Sequence, residues 1–253
     1  MLKPSIILNR LYERLESFAK SRKVIDLRIG LGYIGVRLDN DSTGIAAVLF
    51  DALPHDCTVV PGTGSFAGSP ATELLQYLVA GKNPLEIAIG LATANALIEP
   101  SPNNIDDREA TTYLHLQKGE KVTMVGLFSP LVARIRATGA ELTVIEKNSS
   151  RMEILGDAEK KDALKSCDVA IITATTLLNN TFEETINLLG TPHAVAIMGP
   201  STPLMPAIFR NTPVTHLGGA IVADSARVMQ IISEGGGTPA LRPYLRFVNL
   251  MVR

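Results

Sequence analysis

Apolar and polar positions follow an α+β pattern in the N-terminal part of the chain. Apolar residues first recur at helical spacing, then alternate with polar residues in two short stretches, and then form a continuous run after a turn-rich segment. This order predicts an amphipathic helix, an antiparallel meander of three strands and two further helices. The predicted bounds are 4–20 for the first helix, 25–29, 34–38 and 45–50 for the strands, and 71–79 and 85–98 for the last helices.

From residue 121 onward, strands and helices alternate. The opening unit has a buried strand over 122–125, a turn at Gly126, a helix, and a second strand that ends at Glu146. Further strands are predicted at 169–173, 194–198, 214–217 and 247–252. Most of these are continuous apolar runs, which are typical of strands buried on both faces of a parallel sheet. Repeated βα units predict an α/β fold with a doubly wound, mostly parallel sheet.

A polar segment over 101–120 separates the two patterns and is the predicted linker. We therefore divide the chain into a smaller α+β domain over 1–100, this linker, and an α/β domain over 121–253. Pockets of open α/β sheets form beyond the C-terminal ends of the parallel strands. We expect the ligand site at that edge, covered by the N-terminal domain.

The composition argues against several classes of partner. The 253 residues carry a formal net charge of −1, which gives no electrostatic attraction to nucleic acid or to an anionic membrane. No apolar run approaches the roughly 18 residues of a membrane-spanning helix, and the charged N-terminal stretch lacks the apolar core of a signal peptide. We expect a cytoplasmic protein with a small-molecule ligand, and a homodimer as the default assembly of a soluble enzyme.

The first glycine turn and the acid after the second strand have the spacing of a nucleotide-binding unit. Glu146 follows Gly126 by 20 residues, and a ribose-binding carboxylate lies at about that distance from such a turn. The turn itself reads Gly-Leu-Phe-Ser-Pro rather than GxGxxG, so Leu127 and Phe128 would crowd a pyrophosphate. A dinucleotide, a smaller adenosyl-type ligand, and a Glu146 that is only a solvated carboxylate all stay open.

Polar residues follow several neighbouring strands of the predicted sheet. Groups that converge on one edge of a sheet are typical of a ligand site, although loops are polar in any case. The predicted ligand-binding residues are Asn95, Gly126, Phe128, Glu146, Thr173, Thr176, Asn179, Gly199, Pro200 and Ser201. Asp224, which follows Gly218 and Gly219 after strand 214–217, is the candidate catalytic acid or base. Its position equally suits a helix cap.

The sequence gives no clear metal-binding motif. His55 and Cys57 lie two residues apart without a second pair, and Cys167 stands alone, so the cysteines are expected to be reduced thiols. A metal ion held across the two domains by Asn95, Glu146 or Asp224 stays open, because oxygen ligands need no local motif. The metal and any cofactor are therefore not assigned.

Three stretches of the chain are similar to one known family. They are GSPATELLQYLVAGKNPLEIAIGLATANAL, VGLFSPLVARIRATGAELTVIEKN, and CDVAIITATTLLNNT together with IMGPSTPLMPAIF. In this order and spacing they resemble the heavy-metal chelation family, a domain of unknown function. The resemblance implies an enolase N-terminal-like domain, then a Rossmann-like domain, with the active site between them. It also implies the handling of a metal or a metal chelate.

Three functional hypotheses follow. The first is an enzyme acting on a small polar molecule related to a metal chelator, with its site at the interface of the domains. The second is a non-catalytic binding protein for a metal chelate or an adenosyl-type ligand. The third is a nicotinamide-dependent oxidoreductase, against which the missing GxGxxG counts. Turnover of the ligand separates the first hypothesis from the second.

Overall fold

The computed structural model describes residues 5–53, 57–100, 105–108, 111–146 and 154–252. The helices are α1 (Ile6–Ala19), α2 (Ala71–Leu75), α3 (Tyr77–Ala80), α4 (Pro84–Leu97), α5 (Thr111–Leu114), α6 (Ser129–Ala137), α7 (Asp157–Ser166), α8 (Phe182–Asn187), α9 (Ser225–Ser233) and α10 (Thr238–Leu241). The strands are β1 (Val24–Ile29), β2 (Tyr33–Leu38), β3 (Thr43–Ala47), β4 (Lys121–Val125), β5 (Glu141–Ile145), β6 (Val169–Thr173), β7 (Ala194–Met198), β8 (His216–Val222) and β9 (Leu245–Met251). Among the described helices, none combines the length and apolar character that crossing a membrane requires.

The predicted meander forms a small antiparallel sheet in the order β1-β2-β3. Helix α4 packs on one face, so closely that a methyl group on Gly44 would come within 2.2 Å of the Ala92 carbonyl oxygen. Helix α9, from the C-terminal half, packs on the other face, where a methyl group on Gly35 would meet Met229. The small sheet is therefore enclosed between one helix from each half of the chain.

Local signals fix where α4 begins and what it contacts. The Asn83 side chain accepts hydrogen bonds from the N–H groups of Leu85 and Glu86, and proline occupies the first helical position. These are the two standard ways of starting a helix. A methyl group on Gly90 would lie 2.6 Å from the Leu78 nitrogen. The small residues of α4 therefore allow the close approach of α3 and β3.

The C-terminal half is an α/β unit with a six-stranded sheet in the order β5-β4-β6-β7-β8-β9. The five strands from β4 to β8 pair in parallel, and β9 pairs antiparallel with β8. The predicted fold class is confirmed: a doubly wound, mostly parallel Rossmann-like sheet follows a smaller α+β unit. The chain reverses its direction of winding between β4 and β6, where ligands of such sheets usually bind.

The two halves share one hydrophobic core. A single cluster of buried side chains contains Leu11 and Ile34 from the N-terminal half and Phe182 and Phe209 from the C-terminal half. The rings of Phe182 and Phe209 lie 6.0 Å apart in an edge-to-face arrangement. Within segment 105–108 of the predicted linker, Asp106 forms a bridge to Asn249 of β9. The division at 101–120 stays a prediction, and residues 101–104 and 109–110 lie outside the described part.

The structure corrects two local predictions. Strand β8 begins at His216 and continues to Val222, because β9 pairs with it over its whole length, so Gly218 and Gly219 lie inside the strand. The helix expected over 71–79 is divided into α2 and α3. Before α8, the Thr181 hydroxyl donates to Asn179 Oδ1, and its side chain makes no capping bond to the helix.

Candidate functional site

The turn after β4 packs directly against the end of β6. Gly126 has a positive φ of 82°, and a methyl group there would lie 2.8 Å from Thr173 Cγ2. Glycine is required because this backbone region disfavours other residues and because no space is left for a side chain. The two strand ends on either side of the reversal point therefore touch each other through Gly126 and Thr173.

Glu146 is engaged by the same turn. Its carboxylate Oε2 accepts a hydrogen bond from the Leu127 N–H at 3.1 Å, and the residue is 8% exposed. The Gly126 N–H donates to the Ile145 carbonyl at 2.8 Å. A buried carboxylate that accepts a backbone N–H stabilises the turn. The prediction that Glu146 binds a ligand is untested, and this oxygen already has a protein donor.

An aromatic ring lies between the turns after β4 and β7. A methyl group on Gly199 would come within 3.8 Å of Phe128 Cε1. Phe128 also packs with Leu127 and Met198 on the hydrophobic cluster below the sheet edge. Pro200 follows Gly199 in a turn in which the Thr202 N–H donates to the Gly199 carbonyl. The space between these turns is therefore lined by an apolar ring, which offers an anionic group no hydrogen bond.

The polar residues after β6 form hydrogen bonds with one another. The Thr176 hydroxyl donates to the Thr173 carbonyl oxygen, and Thr173 Oγ1 lies 3.0 Å from Thr175 Oγ1. Asn179 Oδ1 accepts from both the N–H and the hydroxyl of Thr181. We call the turns 126–128, 173–179 and 199–201 the strand-end turns. Their polar groups largely stabilise the turns themselves.

Asp224 lies apart from the strand-end turns. It is exposed, and Oδ1 accepts a hydrogen bond from the Arg227 N–H at the start of α9. Strand β8 extends four residues past Gly218, the last residue paired with β7, so the chain reaches Asp224 roughly 13 Å or more beyond that pair. The structure thus gives Asp224 the capping role, and its predicted acid–base role is untested.

Asn95 and Ser201 join the two halves of the molecule. Asn95 Nδ2 donates to the carbonyl oxygens of Ile45 in β3, at 2.9 Å, and of Ser201, at 3.3 Å. The Ser201 hydroxyl accepts from the Ala47 N–H at 2.8 Å. Glu146 follows β5, whereas Ser201 follows β7. In the strand order, three inter-strand spacings, about 14 Å, separate the ends of these two strands. Asn95 and Glu146 therefore belong to different places in the fold.

A cavity of about 300 Å³ lies beside Asn95, between the N-terminal half and β8. We call it the α4–β8 cavity. Its walls come from the start of β3, the C-terminal end of α4, the turn after β7 and the end of β8. The polar lining residues are Ser42, Thr43, Asn95, Glu99 and Thr202, and Ala96, Ile98, Leu204 and Val222 contribute apolar surface.

Three of the lining residues carry a buried oxygen with no hydrogen-bond partner among the described residues. They are Thr43 Oγ1, Asn95 Oδ1 and Thr202 Oγ1. Thr202 is only 1% exposed. Most buried polar atoms of folded proteins have a partner, so three exceptions around one cavity need an explanation. Of these residues, only Asn95 was predicted for the site. The polar turn after β7 pointed to Thr202, whereas nothing in the sequence singled out Thr43 or Glu99.

The histidine with a shifted pKa, His216, lies away from this cavity. Burial lowers the pKa of His216 at the start of β8, and the positive charges of His115 and His193 lower it further. The N-terminal end of β8, where His216 lies, is at the opposite end of the strand from the cavity residues Ala220 to Val222. His55 is outside the described part. Within that part, no three His, Cys, Asp or Glu side chains are grouped so that they could hold a metal ion.

Comparison with known proteins places the whole chain among proteins without an assigned activity. A protein of unknown function from Pyrococcus horikoshii superposes with a TM-score of 0.82 at 19% identity, over 97% of this chain and 99% of that one. A second one, from Desulfitobacterium hafniense DCB-2, gives a TM-score of 0.76 at 20% identity, over 96% and 99%. An uncharacterised protein of Methanocaldococcus jannaschii is 24% identical over 228 residues, or 86% of this chain and 84% of the relative.

Two family models match the chain in tandem. The DUF4213 model matches residues 12–98 and the DUF364 model matches residues 109–251, and both are described as "Putative heavy-metal chelation". Both solved relatives are named as members of the DUF364 family. The resemblance seen in the sequence motifs is thereby confirmed. The chain belongs to the DUF364 family of the heavy-metal chelation group.

Proposed function

We propose that this protein binds a small polar molecule in the α4–β8 cavity. The observation that carries the proposal is the set of unpartnered oxygens on Thr43, Asn95 and Thr202. Burying a hydroxyl or an amide without a hydrogen bond costs about 1–3 kcal/mol. These oxygens have almost no accessible surface in the free protein. A ligand would bond to them only after the lining side chains shift, and it would then remove a cost that the free protein bears.

The size and walls of the cavity suit such a ligand. Its volume of about 300 Å³ is at the lower end of the range for small-molecule sites. Such sites combine apolar walls with a few polar groups that orient the ligand. Here Ile98, Leu204 and Val222 would contact a carbon skeleton while the three oxygens orient it.

Binding without chemical conversion is the function we favour. Glu99 is the one titratable side chain among the described lining residues, and it is exposed. The two threonine hydroxyls have no histidine or lysine beside them in the described lining that would activate them as nucleophiles. An enzyme is the second candidate, because the Glu99 carboxylate has the chemistry of a general base.

The potential metal ligands of the cavity suit a bare soft metal ion poorly. Soft ions prefer thiolate and imidazole ligands, whereas hydroxyl, amide and carboxylate oxygens suit hard cations. The described lining offers only oxygens. We therefore do not assign the cavity to a bare heavy-metal ion. We also do not propose a nucleotide at the strand-end turns. The Phe128 ring lies against Gly199 between two of these turns, and the Glu146 carboxylate already accepts a hydrogen bond from the Leu127 N–H.

A ligand screen on matched variants tests the proposal. Thermal unfolding is measured for the wild type, for the double variant Thr43→Val/Thr202→Val, and for the control Thr123→Val/Thr185→Val, whose hydroxyls donate to carbonyl oxygens elsewhere. A ligand of the cavity raises the Tm of the wild type and of the control but loses about tenfold or more in affinity for the cavity variant.

The same screen separates the two candidate functions. Each stabilising compound is incubated with the wild-type protein and recovered for mass spectrometry. Unchanged compound supports a binding protein, whereas a product that forms with the wild type and not with Glu99→Gln supports an enzyme. Compounds that stabilise the wild type and the cavity variant equally would show that the α4–β8 cavity is not the binding site.

A further inference from the structure

We propose that a second cavity, between α1 and the end of α4, binds a small aliphatic carboxylate. Its volume is about 590 Å³, against about 300 Å³ for the α4–β8 cavity. We call it the α1–α4 cavity, and its walls come from α1 and the turn after it, the end of β2, the end of α4, segment 204–207 and β9. This site goes beyond the proposed function, because the two cavities share a wall at the end of α4 but differ in size and in charge.

The walls of the α1–α4 cavity are mainly apolar, and part of that surface is accessible. Twelve of its sixteen described lining residues are apolar. Phe18 is 61% exposed, and Leu97, Ile98 and Met205 are half-buried, so all four keep accessible surface. Sites for small molecules combine such walls with a few polar groups, in volumes of about 300–1,000 Å³. The cavity therefore suits a molecule with a carbon chain.

One positive charge lies in these walls. Arg22 is the only lysine, arginine or histidine among the described lining residues. Its guanidinium has no hydrogen bond or ion pair with a described residue, and none of its nitrogens is among the fully buried unpartnered atoms, so the group keeps accessible surface. The backbone is fixed, because the Arg22 N–H donates to the Ala19 carbonyl and its carbonyl accepts from the Ala71 N–H. A half-buried arginine is thus held at the cavity without a described counter-ion.

A carboxylate is the group that Arg22 matches best. The planar guanidinium binds both oxygens of a carboxylate through two parallel N–H···O bonds. One guanidinium balances the single charge of a carboxylate, whereas a phosphate monoester would bring nearly two charges. Glu99 also lines the cavity, but it is exposed and not paired with Arg22, so solvent screens its charge more than that of the half-buried arginine. The apolar walls would then contact the carbon chain of the ligand.

Three probes with the same six-carbon chain test the site on the full-length protein. Hexanoate, 1-hexanol and hexylamine, with inorganic phosphate in parallel, are compared by thermal unfolding at pH 7.5 and at equal ionic strength. We expect hexanoate to raise the Tm by about 3 °C or more at ten times its Kd. Hexanol should bind about tenfold more weakly, because it forms no charged hydrogen bond, and hexylamine should not raise the Tm. Butanoate should bind about fifteenfold more weakly than hexanoate, because two fewer methylene groups are buried.

Substitutions in the walls then localise the binding. Arg22→Gln removes the charge of a side chain without described bonds, so it should leave the Tm of the free protein unchanged and weaken hexanoate binding about tenfold or more, with hexanol unaffected. Lys20→Gln is the matched control: it removes an exposed cation that pairs with Glu16 outside the described lining, and it should bind hexanoate like the wild type. Ala207→Phe fills the cavity and should weaken hexanoate and hexanol alike.

The results decide the ligand and the location separately. Hexanoate that binds Arg22→Gln as tightly as the wild type would overturn the site, as would hexanol or hexylamine that binds as tightly as hexanoate. Phosphate that stabilises the wild type more than hexanoate does, but not Arg22→Gln, would replace the carboxylate by a phosphate. Thr202→Val changes a residue of the α4–β8 cavity alone and should bind hexanoate like the wild type. If no probe shifts the Tm, the α1–α4 cavity is refuted as a carboxylate site, while the proposed function still depends on Thr43 and Thr202.

Discussion

The strand-end turns and the α4–β8 cavity are both rich in polar residues, but they use them differently. In the strand-end turns, Glu146 Oε2 accepts from Leu127, Thr176 donates to Thr173, and Asn179 Oδ1 accepts twice from Thr181. Among the residues that line the cavity of about 300 Å³, three carry a buried oxygen that has no described partner. The same residue types therefore form local hydrogen bonds in one place and lack described partners in the other.

The difference teaches that polar composition alone does not identify a binding site. Turn residues such as threonine and asparagine hydrogen-bond to nearby backbone, which is why they are common where strands end. An unpartnered buried oxygen is more informative, because the fold bears its desolvation cost without recovering it. Gly126 and Thr202 provide the strongest tests of the contrast, one in each region.

The largest expected effect is at Gly126. Gly126→Ala should destabilise the protein by about 3 kcal/mol, because the new methyl group meets Thr173 Cγ2 at 2.8 Å and the positive φ is strained. Gly64→Ala is the matched control: its φ is also positive, at 97°, and no atom lies within 4 Å of the added methyl. It should cost about 1 kcal/mol. Equal losses in urea denaturation would show that the turn after β4 is not closely packed.

Much of the fold was predictable, because the pattern of apolar residues determines it. The three-stranded meander, the parallel strands and the helix after Asp224 follow from periodicity and capping alone. The end of β8 was not predictable: its final residues are held by pairing with β9, which lies more than twenty residues further along the chain. That pairing moved Gly218 and Gly219 from the predicted loop into a strand.

The site was less predictable than the fold. Asn95 was identified from the small-residue helix, but its partners, Ile45 and Ser201, come from segments that only the tertiary structure brings together. Thr43 lies in an ordinary turn-to-strand sequence. It stands out only because its buried hydroxyl has no described hydrogen-bond partner. A missing hydrogen bond has no sequence signature, so the α4–β8 cavity required coordinates.

The second largest effect is expected at Asn95, which joins the cavity to both halves. Asn95→Ala removes hydrogen bonds to two carbonyl oxygens and should cost about 2 kcal/mol of unfolding free energy. Asn40→Ala is the comparison, since its exposed side chain accepts one bond from the Ser42 N–H and should cost about 0.5 kcal/mol or less. A loss at Asn95 no larger than at Asn40 would mean that the two halves are held together without it.

Ser201 tests whether the bonds between the halves act together. Ser201→Ala removes the acceptor of the Ala47 N–H and should cost about 1.5 kcal/mol. The double variant with Asn95→Ala should cost less than the two single changes added, because both bonds hold the same turn against β3. Ser225→Ala, which removes a hydrogen bond from an exposed hydroxyl to the Asp41 carbonyl, should change stability by less than about 0.5 kcal/mol. Strict additivity at Asn95 and Ser201 would contradict the shared role.

The smallest effect is the one with an unusual sign. Thr202→Val should stabilise the free protein by about 1 kcal/mol, because a buried hydroxyl without a described partner is replaced by a methyl group of the same size. Thr123→Val, at a residue 2% exposed whose hydroxyl donates to the Ala163 carbonyl, should destabilise it by about 1 kcal/mol. Opposite signs at two buried threonines, measured by urea denaturation with unchanged m-values, would show that the Thr202 hydroxyl is buried without a partner at a cost to the stability of the fold. Equal losses at both positions would place Thr202 with the strand-end threonines, as part of the framework.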